Sequence, residues 1–216
     1  MSDQPQETAR ILPKKLMSFT SDQLNKVASF FINLNMNPNV LSVFATVTGI
    51  GAGIFFVFNR PFWAGILIII CGILDILDGK VAAGTNKTII FGAMFDSTLD
   101  RYSEFFIYLG LAVHFRDHWA LWITFFTFLG STMVSYTRAR AEGLEIECKI
   151  GVMQRAERMV FLAASSIFGS LFKIFDPLMI GVLITIALIS NITAIQRTLY
   201  VKKVERQKES HSRELK

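Results

Sequence analysis

The chain has 216 residues, 52% of them apolar, a mean hydropathy of +0.44 and a formal net charge of +5. That apolar content argues against an ordinary soluble domain. The basic residues sit at the ends of apolar stretches and in the tails, not on a polar surface interleaved with aromatic stacking positions, which argues for membrane orientation and against a nucleic-acid partner.

The opening MSDQPQETARILPKKL is polar and mixed in charge, without the short apolar core of a secretory signal, so no cleavage is expected. Ser21-Asp22 predicts a helix start, and Leu24, Val27, Phe30, Phe31 and Leu34 recur at helical spacing. This stripe is too short to span a membrane. With Lys26 on its flank it suits an amphipathic helix in the cytoplasmic interface, the alternative being packing against another part of the protein. Asn-Met-Asn-Pro-Asn, ending at Asn39, breaks the helix.

Six long apolar stretches follow, at 40–58, 61–78, 91–115, 119–137, 157–173 and 177–198. Several approach the roughly 20 residues a helix needs to cross the hydrocarbon layer. The predicted organisation is an all-α membrane protein: a cytoplasmic N-terminal segment over 1–39, a six-helix transmembrane domain over 40–200 and a basic cytoplasmic tail over 201–216. The tail, KKVERQKESHSRELK after Val201, is expected to be a solvated helix end fraying into disorder. With both termini inside, eighteen basic residues share the cytoplasmic side and only Arg60, Arg116 and Lys173 lie opposite, with Arg101 inside a span. That bias favours this orientation and an even number of crossings.

Cys71 in a span and Cys148 in a connection form no disulfide or zinc pattern and read as packing residues. His114 and His118 are four apart, but fall at the outer end of the third span and read as ordinary polar residues of a connection. His211 lies in the tail.

Charged groups inside a span are costly and persist where they pair, bind ions or line a polar cavity. CGILDILDGKVAAG puts Asp75 and Asp78 three apart at the cytoplasmic end of the second span. FGAMFDSTLDRYSE puts Gly92, Asp96 and Asp100 at successive intervals of four on the third. Each set shares one helical face. The short connection between these helices predicts that they pack side by side and that their four carboxylates converge. Converging carboxylates call for a cation, and an all-oxygen set favours magnesium or manganese over zinc. The alternative is that the acids pair with Arg101, Lys80 and Lys87.

These residues resemble the CDP-alcohol phosphotransferase family, whose signature is D-x-x-D-G-x-x-A-R-x8-G-x3-D-x3-D. The chain reads DILDGKVAAGTNKTIIFGAMFDSTLD from Asp75 to Asp100, agreeing at seven of eight specified positions with every spacing intact. The departure is Ala83, where the family has arginine. One contact to the nucleotide is then expected to weaken, with Lys80 or Lys87 as possible replacements. The resemblance implies six spans, a preceding interfacial helix and a homodimer. It also implies two divalent ions held by Asp75, Asp78 and Asp96, with Asp100 as general base and a further metal contact. Gly79, Ala82 and Gly92 would make room for the cytidine nucleotide. The implied reaction joins a CDP-linked lipid, such as CDP-diacylglycerol, to a small polar alcohol and releases CMP.

SYTRARAEGLEIECKIGVMQRAERMVFL places Arg138, Arg140, Arg155 and Arg158 between the fourth and fifth spans. Arginine suits phosphate through paired hydrogen bonds, although positive-inside charge alone would also put bases here. This stretch resembles the phosphatidylinositol-phosphate synthase branch, which implies that Arg140 and Arg155, backed by Arg138 and Arg158, bind the phosphate of inositol phosphate. Glu142 and Glu157 would orient them. A phosphatidylglycerophosphate synthase, or use of unphosphorylated inositol, is the alternative within the family. Outside it stand a cation-coupled transporter, which predicts midplane acids and two related halves, and a non-catalytic lipid-binding protein.

Overall fold

The computed structural model describes residues 14–85, 90–148 and 150–214, which form seven helices and no strand. These are α1 (Lys14–Asn33), α2 (Pro38–Val57), α3 (Pro61–Gly84), α4 (Ile90–His114), α5 (Ala120–Glu142), α6 (Arg155–Leu171) and α7 (Phe175–Glu214). The all-α expectation holds, and each of the six apolar stretches is a helix. Two regions, Pro38–Val57 and Phe175–Gln207, are by length and composition apolar enough to cross a membrane unaided. The remaining long helices carry the polar residues, with Asp75 and Asp78 in α3, Asp96 to Glu104 in α4, and Arg138 to Glu142 closing α5. Lys87 and Lys149 lie outside the described residues.

Local chemistry sets several boundaries. Pro38 opens α2, where its missing N–H costs nothing, and the Asn37 side chain accepts from the Asn39 N–H at 3.0 Å. The His118 Nδ1 accepts from the Ala120 N–H at 3.2 Å at the start of α5, and His114 Nε2 meets Asp176 Oδ1 at 2.8 Å, so both histidines serve the connections.

Two boundaries depart from expectation. Helix α1 begins at Lys14, so Ser21-Asp22 lies within it and does not cap it. Helix α7 runs without a break through Val201 to Glu214, and the expected fraying is not seen. Lys, Arg, Gln and Glu dominate that segment, and all are good helix formers that need no apolar face. The stripe on α1 divides. Leu24, Ala28, Phe31 and Ile32 pack against Leu41, Leu77 and Val81, while Val27, Phe30 and Leu34 remain exposed.

The principal packing partners close into a ring. Helix α2 packs on α3, α3 on α6, α6 on α7, α7 on α5, α5 on α4, and α4 back on α2, with α1 outside against α3. Phe56, Ile68, Ile107, Leu111, Leu162, Met179, Leu183 and Ile186 fill its centre. The two acid-bearing helices, expected side by side, are therefore neighbours of α2 on either flank. The acids still meet, because both faces turn into the ring.

Small residues permit the tightest seam, as is usual where lipid removes the hydrophobic drive for helix pairing. A Cβ added to Gly53 would collide with the Phe106 carbonyl, and one added to Gly110 would collide with the Gly53 backbone. Neither backbone can give way cheaply. Gly53→Ala or Gly110→Ala is expected to destabilise the protein by about 1–3 kcal/mol. Gly72→Ala, which meets nothing within 4 Å, should leave thermal unfolding in detergent unchanged.

Candidate active site

At one end of the ring, α3 delivers Asp75 and Asp78, and α4 delivers Asp96 one turn before Asp100. Ligand oxygens of Asp75, Asp78 and Asp96 lie within 4.8 Å of one another. Asp78 is buried and accepts from the Ser42 hydroxyl on α2 at 2.6 Å. Asp96 Oδ1 is buried without a hydrogen-bond partner. A close all-carboxylate set with an unpartnered buried oxygen suits a hard divalent cation, so the residues present fit such an ion.

Asp100 is engaged differently. A single atom of Arg155, Nη1, lies 2.7 Å from Asp75 Oδ1 and 2.9 Å from Asp100 Oδ1. The second terminal nitrogen donates to Ser103 Oγ at 3.2 Å, and that hydroxyl donates to the Asp100 carbonyl at 2.9 Å. Arg155 thus ties the first residue of α6 to acids from both other helices. Of the bases considered as alternative partners, Lys80 donates to Asn25 Oδ1 on α1 at 2.5 Å, and Arg101 Nη1 is buried without a partner.

One turn along α6, Arg158 departs from the expected acceptor-binding role. Its side chain is wholly buried; Nε donates to Glu104 Oε1 at 2.9 Å, Nη2 to Glu104 Oε2 at 3.2 Å, and Nη1 to the Met153 carbonyl at 3.3 Å. The guanidinium is consumed by this fork and cannot face an acceptor. Arg138 pairs with Glu142 at 2.9 Å with both side chains about half exposed, and Arg140 is exposed on the same terminal turn. Glu157 accepts from the Gln154 N–H at 2.9 Å, capping α6.

The segment feeding Arg155 into place is held from α7. Arg197 Nε donates to the Ile150 carbonyl at 2.9 Å and Thr193 Oγ1 to the Val152 carbonyl at 3.1 Å, while Arg197 Nη1 also reaches the Val134 carbonyl. Gly151 adopts φ +116°, where a side chain would strain the backbone and strike Thr193. Cys148 is buried in the same segment and Cys71 on α3, both as free thiols.

Around the acids, Gly79 is exposed with nothing within 4 Å of an added Cβ, whereas a Cβ added to Gly92 would lie 3.5 Å from Asn39 Oδ1. Ala82 is partly exposed and Ala83 exposed on the same turn of α3.

A family model for CDP-alcohol phosphatidyltransferases matches residues 35–198. The chain belongs to the CDP-alcohol phosphatidyltransferase family. It is accordingly a transferase of phospholipid biosynthesis, and its apolar helices agree with a membrane-embedded family. An archaetidylinositol phosphate synthase of Pyrococcus horikoshii is 33% identical over 190 residues, covering 88% of this chain and 96% of the relative. A phosphatidylinositol phosphate synthase of Streptomyces avermitilis is 32% identical over 204 residues, covering 89% and 83%. Among solved structures, the Mycobacterium tuberculosis phosphatidylinositol phosphate synthase with CDP-DAG bound superposes with a TM-score of 0.74 at 24% identity, covering 82% of this chain and 92% of that one. The same enzyme with manganese and citrate gives 0.75 at 23%, covering 82% and 88%. At these identities the structural likeness speaks for the fold.

Ser42, Ser103 and Glu104 lie outside the acidic motif and the basic run, and their contacts emerge only from the packing. Ser42 and Thr46 did carry a signal, as hydroxyls four apart inside an apolar span, and Glu104 continues the face of Asp96 and Asp100 by one more turn. Removing one member of a wholly buried ion pair strands the other. Glu104→Gln is expected to cost about 3–5 kcal/mol, seen as a lowered unfolding temperature in detergent, and the double replacement Glu104→Met with Arg158→Leu should recover most of it.

Proposed function

We propose that this protein transfers the phosphatidyl-type group of a CDP-linked lipid to the hydroxyl of inositol phosphate and releases CMP. The observation that carries this reading is the convergence of Asp75, Asp78 and Asp96 within 4.8 Å, with Asp100 joined to them through Arg155. The similarity to archaeal and bacterial synthases named for inositol phosphate supports the acceptor.

In this reading Asp75, Asp78 and Asp96 hold divalent metal, two ions of magnesium or manganese, with Asp100 at the edge of that site. Bound metal polarises the phosphoryl group and stabilises the departing CMP. Asp100 accepts the proton of the acceptor hydroxyl, which is otherwise a poor nucleophile. The open surface at Gly79, with Ala82 beside it and Gly92 opposite on α4, admits the cytidine nucleotide. Arg155 binds the acceptor phosphate, with Arg140 and Arg138 at the exposed end of α5 as the outer basic residues. Arg158 holds α6 to α4 and positions its neighbour.

The apolar faces of α2 to α7 support six membrane crossings, and the basic bias supports a cytoplasmic site with both termini inside. The exposed Val27, Phe30 and Leu34 support an interfacial α1. The protein works as a homodimer in this reading, and 1–39, 40–200 and 201–216 serve as its interfacial, catalytic and tail segments.

Purified protein with magnesium and CDP-diacylglycerol is expected to release CMP when supplied with inositol phosphate, and not with inositol, glycerol phosphate or serine. Preference for glycerol phosphate would move the protein to another acceptor class. Asp100→Asn should lower turnover by at least about a hundredfold while retaining nucleotide binding. Ala83→Arg should tighten nucleotide binding, because position 83 is exposed one turn beyond Gly79.

A further inference from the structure

Arg155 makes a choice of partners that its proposed acceptor role does not require. The oxygens it holds, Asp75 Oδ1 and Asp100 Oδ1, belong to the acids that bind or border the metal, and one nitrogen, Nη1, is shared between them. The side chain is only 14% exposed, so this is not a screened surface contact. Its Nε, meanwhile, is buried without an acceptor. The guanidinium is therefore bound to the acids through its tip while another donor is left unused, an arrangement that a second anion would complete.

Charge balance points the same way. Four carboxylates between helices repel one another, and a cation lodged among them relieves part of that repulsion. A divalent ion drawn to the same acids competes with Arg155 for them. Two such ions would neutralise four carboxylates, leaving the Arg155 charge uncompensated in a partly buried cleft, where it would favour an incoming phosphate.

We propose that Arg155 is an internal counter-cation of the acid cluster that divalent metal displaces, and that its release couples metal binding to capture of the acceptor phosphate. This rests on the reading of the cluster as a metal site and of Arg155 as a phosphate ligand. The consequence is an order of events in which metal occupancy makes the acceptor subsite. The Glu104–Arg158 fork fixes the helix from which Arg155 swings, so the side chain moves and the backbone does not.

The test uses the full chain in detergent, Mn2+ followed by electron paramagnetic resonance, and inorganic phosphate as the anion probe. Arg155→Gln is expected to bind Mn2+ about tenfold more tightly than the unaltered protein, because the internal competitor is gone. Arg155→Lys keeps the charge, but its shorter stem stops short of the position Nη1 occupies between the two carboxylates and carries no second nitrogen for Ser103, so it should share much of that gain. In the unaltered protein phosphate should tighten Mn2+ binding, and Mn2+ should tighten phosphate binding by the same factor; this coupling should vanish in Arg155→Gln. Mn2+ affinity unchanged in Arg155→Gln, or a gain in Gln but none in Lys, would replace direct competition with a diffuse charge effect and overturn the proposal. Coupling that survives in Arg155→Gln would place phosphate directly on the metal and overturn it equally. Mn2+ bound by the unaltered protein but lost in Asp78→Asn confirms the metal reading separately, whereas no Mn2+ binding at all removes both.

Discussion

Four carboxylates drawn together between helices, one buried and three only partly exposed, repel one another more strongly than they would in open water. The fold brings them together anyway, and much of this end of the bundle answers that repulsion. Ser42 donates to Asp78, and Arg155 bridges Asp75 and Asp100. Each donor comes from a helix other than the one bearing its acid. Offsetting the charge therefore also fastens α2, α3, α4 and α6 at one point.

That fastening would be of little use in a loosely packed ring, where a shift of an ångström would separate the ligand oxygens. The seam between α2 and α4 supplies the needed closeness. Gly53 and Gly110 let the two backbones touch, and Gly49 lies against Ser103, the residue that also receives Arg155. On the far side, Arg197 and Thr193 of α7 hold the 150–152 backbone that leads into α6. The site is thus built from side chains on rigid helices, with one short segment clamped from behind.

Periodicity and hydropathy made the helices legible, because each apolar stretch is local and long. The acids were legible for the same reason: their spacings of three and four are properties of a single helix. The order of helices around the ring was not, since nothing local says that α2 stands between α3 and α4. Nor was the partner of Arg155, eighty residues from Asp75 in the chain. The resemblance ranks Arg140 and Arg155 ahead of Arg138 and Arg158, but only packing shows that Arg155 reaches the acids while Arg158 is closed on Glu104. The tail misled in another way. Its lack of apolar residues suggested fraying, but helix propensity alone carried α7 to Glu214.

The contrast between Arg155 and Arg158 shows how packing assigns different work to one residue type. Both project from the first turn of α6, and both meet carboxylates of α4. Arg158 is closed on every side: Nε and Nη2 grip the two oxygens of Glu104, and Nη1 finds the Met153 carbonyl. A pair so fully desolvated and so fully satisfied is costly to break and has nothing left to offer a ligand. Arg155 spends one nitrogen on two acids, another on a hydroxyl, and leaves its Nε without an acceptor. The incomplete pair sits beside the metal-type cluster and the complete one sits a turn deeper. The proposed exchange of cation for anion calls for the first kind beside the acids and for the second behind it, so that the exchange does not loosen the helices.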